Sequence, residues 1–159
     1  PTDGCGGAGV FRLSHGDSNA RVAFEVLSED GGKEVIAQKY VPEAAVGDKR
    51  ILLLNGDVLG AVLRVHSEDD HRNNFFAGGK PVATDVTGRD MEIVDALRPH
   101  LRELGLHFVG IDILGDYLIE VNVTSPTCLQ EINRLNGARL EDEVIDYVEG
   151  LVEKKRTTA

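Results

Sequence analysis

The chain has 159 residues, of which 42% are hydrophobic and 5% aromatic with no Trp, so a core of Leu, Val and Ile is expected and a disordered chain is excluded. Seventeen Lys and Arg stand against 27 Asp and Glu, a net charge of −10, which argues against a broad nucleic-acid surface because such a surface needs basic residues to neutralise phosphates. No apolar run approaches the ~20 residues that span a bilayer, no signal peptide is visible, and two distant cysteines, Cys5 and Cys128, read as two cytosolic thiols rather than a disulfide framework.

Asp3 to Gly9 is a glycine-rich loop. Val10 to Leu13 reads as a strand, and Asp17 to Leu27 as a helix capped by Asp17 or Ser18, with Val22, Val26 and Leu27 on its apolar face. Val35 to Val41 reads as a strand stopped by Pro42. Arg50 to Leu54 and Val58 to Val65 flank Asn55-Gly56-Asp57, and Asn-Gly between apolar runs is a strong hairpin signal. Ser67 to Thr84 is polar and glycine-bearing and reads as a long loop, a length that often marks a functional lid. Thr87 caps a helix to about Leu104, ended by Gly105. Phe108 to Leu114 and Tyr117 to Val123 form a second hairpin, and Leu140 to about Val152 is an amphipathic helix followed by a solvated basic end. Hairpins mixed with helices, without βαβ alternation, make the fold class α+β.

Gly4, Gly6 and Gly9 match G-x-G-x-x-G, but a dinucleotide fold needs a strand before the loop and a helix after it, and here a strand follows. Two readings stay open: a mere turn, or a loop whose backbone N–H groups cradle phosphate oxygens. The second hairpin is more informative. Glu120 and Asn122 share a strand face because their spacing is two. A two-residue loop at Gly115-Asp116 pairs Asp112 with Ile119 and separates the acids; a three-residue loop including Tyr117 pairs Asp112 with Glu120 and brings Asn122 to the same face, and this is the turn expected. Opposed carboxylates repel, and a hard divalent cation held by Asp, Glu and Asn oxygens relieves that repulsion; the alternative is a solvent-facing half of the sheet. Lys49, Arg50, Arg64 and Arg72 stand out in an acidic chain as candidate clamps for phosphate or carboxylate, or as surface charge. Asn122-Val123-Thr124 fits a glycosylation sequon and reads as a chance match.

Five segments resemble the C-terminal half of bacterial glutathione synthetases, which are ATP-grasp ligases: residues 1–7, Gln38-Lys39-Tyr40-Val41-Pro42, Gly47-Asp48-Lys49-Arg50, residues 72–79, and Phe108 through Glu120-Val121-Asn122-Val123-Thr124-Ser125-Pro126-Thr127. The last is the most specific, since Thr-Ser-Pro-Thr after the acidic pair and Asn is a feature of this family. The resemblance implies an ATP-grasp fold of antiparallel hairpins with flanking helices, the whole chain being the C-terminal part of the ligase domain. An N-terminal substrate domain and the first part of the ATP-grasp domain would lie upstream, in keeping with a start at Pro1 rather than Met.

The implied activity is ATP- and magnesium-dependent glutathione synthesis in the cytoplasm, joining γ-glutamylcysteine and glycine through an acyl phosphate. The resemblance also implies a homo-oligomer, with no nucleic-acid or membrane partner. In that scheme Gly4, Gly6 and Gly7 cover the phosphates, while Gln38, Lys39, Tyr40 and Val41, with Asp48 nearby, line the adenine pocket. Asp112, Glu120 and Asn122 hold Mg²⁺ or Mn²⁺, and Arg50, Arg64 and Arg72 hold substrate carboxylate and the transferring phosphoryl group. Asn74, Gly78, Gly79, Ser125 and Thr127 position the peptide substrate. Asn73 and Phe75-Phe76 depart from the family pattern, which bears on lid packing or substrate preference. The alternatives are another ATP-grasp peptide ligase, or a catalytically incomplete nucleotide-binding fragment that needs an N-terminal half in cis or in trans.

Overall fold

The computed structural model describes residues 1–3, 8–66 and 79–158. Its centre is a five-stranded antiparallel sheet of order β3-β2-β1-β4-β5, in which β1 is Asp48–Leu54, β2 Asp57–Val65, β3 Lys80–Val82, β4 Phe108–Leu114 and β5 Tyr117–Asn122. Four α-helices accompany it among the described residues: α1 Ala20–Leu27, α2 Gly88–Glu103, α3 Leu129–Asn136 and α4 Leu140–Thr158.

The first hairpin closes where Asn-Gly predicts. Asn55 and Gly56 have φ of 53° and 81°, both in the left-handed region that a two-residue type I′ turn requires, and Leu54 pairs with Asp57. An irregularity at Leu52/Leu53 leaves Leu59 as an extra residue, so that Asp48 pairs with Arg64 and Arg50 with Val62. Thr87 and Asp90 form a reciprocal capping box at the start of α2, and Gly105, at φ 67°, follows its end.

Period-two alternation divides the sheet into two faces. Ile51, Leu53, Ala61, Val109, Ile111 and Ile113 point to one side, where Ile93, Val94 and Leu101 of α2 complete a core. Lys49 ties α2 down further, donating to Asp90 Oδ2 at 2.5 Å and to the Asp85 carbonyl at 2.9 Å. Leu52 and Val62 point to the other side, packed with Cys128, Ile132 of α3 and Leu140 of α4. That second core covers only one end of its face. The other end carries polar side chains of β1, β2, β4 and β5.

Several local expectations are corrected. Residues 10–13 and 35–41 form no strand; their β-branched and aromatic content suits an extended backbone, but a strand also needs a pairing edge, and none is present for them among the described residues. Pro42 opens a short 3-10 turn, Pro42–Ala45, rather than ending a strand. α1 starts at Ala20, not Asp17, whose carboxylate instead accepts from the Asn19 N–H at 2.9 Å. The stretch read as a loop from Ser67 to Thr84 contains β3, which pairs with β2; of the lid expected from Ser67 to Gly79, all but Gly79 lies outside the described residues. α4 runs six residues past Val152, and α3 was not foreseen.

Candidate active site

The β4–β5 turn has two residues, Gly115-Asp116, with Leu114 opposite Tyr117, not the three-residue turn expected. By parity alone this would set Asp112 against Ile119. A bulge between Asp112 and Ile113 intervenes: Ile113 pairs with Leu118 and Asp112 with Glu120, leaving Ile119 as the extra residue. A bulge turns over the strand beyond it, so the carboxylates are opposed after all, by a different device.

Asp112, buried to 2% exposure, is the hub of the polar face. Arg50 grips it with two donors, Nε to Oδ1 and Nη2 to Oδ2, both at 2.7 Å. Arg64 Nη2 donates to Oδ2 at 2.8 Å and is also ion-paired with Asp48. Arg50 continues outward through Nη1 to Thr127 Oγ1 at 3.0 Å. With the Asn122 amide turned to match its neighbours, its nitrogen donates to Glu120 Oε1 and its oxygen accepts from Arg50 Nη2, each at 3.0 Å. Two strands of each hairpin are thereby joined through a chain of alternating charges, Asp48–Arg64–Asp112–Arg50, with Thr127, Glu120 and Asn122 at its open end.

The electrostatics follow from this order. Burial pushes the Asp112 carboxyl upward, but the hydrogen bonds and charges of Arg50 and Arg64 outweigh it and hold the group below the usual carboxylate range. Glu120 is pushed up by desolvation and by the Asp112 charge beside it, since a neighbouring carboxylate disfavours a second negative charge. Burial pushes Asp48 up against the pull of Arg64. Desolvation opposes the charge on Arg50 and Arg64, yet their acidic partners raise both.

The donor set fits a hard cation. Glu120 lies on the exposed edge strand, Asn122 is half-buried two residues further on the same strand face, and Asp112 is opposite Glu120, an all-oxygen trio suited to Mg²⁺. In the structure the positive charge between Asp112 and Asn122 is supplied by the Arg50 guanidinium. Among the described residues no group of three or more His, Cys, Asp or Glu is gathered as a metal cluster; the trio has two carboxylates and one amide.

The run after β5 is held against this site by close packing. A Cβ on Gly110 would lie 2.8 Å from Pro126 Cβ, so glycine there lets Ser125-Pro126-Thr127 settle over β4 and brings the Thr127 hydroxyl to Arg50. Ser125 itself has φ 50°. Gln38, Lys39 and Tyr40 are exposed and Val41 half-buried, in the extended stretch that enters β1 through the 3-10 turn; the Arg12 guanidinium lies 4.1 Å from the Tyr40 ring centroid, a cation–π contact. Gly79 is half-buried just before β3. Gly4, Gly6, Gly7, Arg72, Asn74 and Gly78 lie outside the described residues. The ion pairing of Asp48 with Arg64 was missed because the bulge at Leu59, which sets their register, has no marker in the sequence.

Sheet, helices and charged face together define an ATP-grasp fold. A D-alanine–D-alanine ligase from Bacillus anthracis in complex with ATP matches it with a TM-score of 0.58 over 90% of this chain and 50% of that one, at 14% identity. The sequence places the chain more closely. Residues 1–137 match the family described as prokaryotic glutathione synthetase, ATP-grasp domain, and the chain belongs to that family. The glutathione synthetase of Synechococcus elongatus is 48% identical over 152 residues, 96% of this chain and 47% of the relative. Those of Pseudomonas aeruginosa and Agrobacterium fabrum are each 44% identical, over 93% and 98% of this chain. The chain therefore spans about half the length of the curated relatives it matches.

Proposed function

We propose that this chain supplies the nucleotide- and metal-binding part of an ATP-dependent carboxylate–amine ligase of the glutathione synthetase type. The observation that carries the reading is the convergence of Asp112, Glu120 and Asn122 with Arg50 and Arg64 on one open sheet face, in a member of this family. In the reaction, the C-terminal carboxylate of γ-glutamylcysteine takes the γ-phosphoryl group of ATP. The glycine amine then attacks the acyl carbon; the C–N bond forms, the C–O bond to phosphate breaks and the amine loses a proton, giving glutathione, ADP and phosphate.

Arg50 and Arg64 face the groups on which charge develops and are fixed in advance by Asp112 and Asp48, so little reorganisation accompanies transfer. Thr127, with Ser125 and Gly79, borders the peptide end, and Asn74 and Gly78 are assigned there by family resemblance. Arg72 is likewise assigned to the transferred phosphoryl group and Gly4, Gly6 and Gly7 to the phosphate loop. Gln38, Lys39, Tyr40 and Val41 form the adenine wall, with Asp48 at its inner end. Asp112, Glu120 and Asn122 would hold Mg²⁺ or Mn²⁺, which supplies Lewis-acid neutralisation of phosphate oxygens.

A second reading, a nucleotide-binding part that needs the remaining portion of the enzyme for turnover, is favoured by the half-length match to the relatives. Phosphoryl transfer needs charge stabilisation from both sides of the nucleotide, and loss of one such donor typically costs ~10²–10³ in rate. An ADP-release assay with γ-glutamylcysteine and glycine tests both, run on the chain alone and with the N-terminal half of a relative. Turnover that requires both substrates supports the ligase; turnover only after adding that half supports the second reading. ADP release indifferent to γ-glutamylcysteine and glycine in both samples refutes the proposed reaction.

A further inference from the structure

Among the described residues, the stretch proposed as the adenine wall, Gln38 to Val41, belongs to no strand, and no backbone hydrogen bond joins residues 35–40 to another segment. Ordering such a stretch only when ligand arrives costs binding free energy, and fixing it beforehand raises affinity. A side-chain contact fixes it here. The Arg12 guanidinium lies 4.1 Å from the Tyr40 ring centroid, inside the ~6 Å over which a cation is drawn to the negative face of an aromatic ring. A planar, permanently charged and weakly hydrated guanidinium suits this stacking, and with one face covered by it the Tyr40 ring has a set position.

Arg12 belongs to a unit that is itself anchored. Phe11 and Leu13 line a groove with Val22, Ala23 and Val26 of α1. At Gly9, φ 74°, a Cβ would lie 3.1 Å from Pro1 Cδ and 3.3 Å from Leu27 Cδ2, so both flanks of the glycine-rich segment meet at the end of α1. Arg12 thus connects two parts of the nucleotide site that the sheet does not join: the flank of the segment assigned to the phosphates, and the wall assigned to adenine. We propose that Arg12 is a positioning residue for nucleotide binding, its guanidinium holding Tyr40 and with it the adenine wall. This rests on the assignment of Gln38–Val41 to adenine made above. A cation near a nucleotide can also act as a phosphate clamp, and the two roles differ in what they affect. A residue that holds the adenine wall acts on every ligand that carries adenine; a phosphate clamp acts on every ligand that carries the phosphates.

Isothermal titration of the chain with Mg-ATP, Mg-ADP and magnesium tripolyphosphate tests this, with urea unfolding as a check on the fold. Arg12→Met should raise the Kd for ATP and for ADP alike by about 2–5-fold, the scale of an exposed cation–π contact, and leave that for tripolyphosphate unchanged. The urea midpoint should stay in place, since Arg12 is exposed. Arg12→Lys, which keeps a cation, should recover part of the loss. In a Tyr40→Leu background Arg12→Met should have no further effect, the sign of direct coupling between the two side chains. ATP binding unchanged by Arg12→Met overturns the proposal, as does an equal loss in the Tyr40→Leu background. A loss shared by tripolyphosphate overturns it in favour of a phosphate ligand. A wild-type chain that binds tripolyphosphate but neither nucleotide refutes the adenine wall itself, and Arg12's role with it, whereas wild-type ATP binding that is insensitive to Arg12 leaves that wall standing and refutes this proposal alone.

Discussion

Replacing Asp112 by Asn keeps the shape of the side chain but removes the charge that joins the two hairpins. The carboxylate accepts three hydrogen bonds, at 2.7, 2.7 and 2.8 Å, from two guanidinium groups. Asparagine presents an NH₂ in place of one oxygen, so at least one of those donors faces another donor. Breaking a buried ion pair by removing one partner costs about 3–5 kcal/mol. Here the lower end applies, since Arg64 keeps Asp48 and Arg50 keeps Thr127 and Asn122. A loss of about 3 kcal/mol lowers Tm by about 6–12 °C in a chain of this size. Urea unfolding followed by circular dichroism measures it, and a cycle with Arg50→Met should give a coupling of about 1–3 kcal/mol. Asp116→Asn, at the exposed hairpin turn whose backbone carbonyl accepts from Arg89 Nε at 3.2 Å, should change stability by less than about 0.5 kcal/mol. A destabilisation under about 1 kcal/mol for Asp112→Asn, or no coupling to Arg50, would refute the claim that this network holds the site together.

The Lys49–Asp90 pair predicts a pH dependence. Burial pushes Asp90 up, but Lys49 and the Thr87 cap outweigh it and hold the carboxyl below its usual range. Its stabilisation is thus complete above the ordinary Asp value of about 3.9 and lost as pH falls through the lower folded-state value. The urea midpoint of Lys49→Met should lie furthest below wild type above about pH 4, and the gap should close on further acidification; a gap independent of pH contradicts the pairing. Gly56→Val places a β-branched residue at φ 81° with its Cβ 2.7 Å from Arg98 Cγ, which should cost about 1–2 kcal/mol in the same assay, whereas an unchanged midpoint would show that the turn tolerates another conformation.

What the sequence revealed best was local chemistry with a geometric consequence. Asn55-Gly56 set a turn type, Thr87 set a helix start, and the spacing of Glu120 and Asn122 set a face. The pairing of Asp112 with Glu120 was legible as one of two registers, but not its cause: the choice lies in a bulge at Ile119, and bulges answer to sheet twist and packing rather than to residue type. Residues 10–13 and 35–41 mislead for a related reason, because strand propensity describes a residue's fit to a pleated surface and not the presence of a neighbouring edge. α3 was hidden by its entry, since Cys128 has φ 92° and no side-chain cap. Nor does composition disclose that Arg50 and Arg64 grip Asp112; each looked like an isolated charge until three strands placed them side by side.

The most direct test of the account is ATP-dependent Mn²⁺ binding, read by electron paramagnetic resonance as loss of the free-ion signal beyond the loss that the same ATP causes without protein. The wild-type chain should retain Mn²⁺ in the presence of ATP. Glu120→Gln and Asn122→Ala, both at the solvent-open end of the site, should each weaken that retention about tenfold or more, the scale on which loss of one ligand or its support acts. Retention unchanged in both variants, with the fold intact by circular dichroism, would contradict the assignment of Asp112, Glu120 and Asn122 as the metal-holding face.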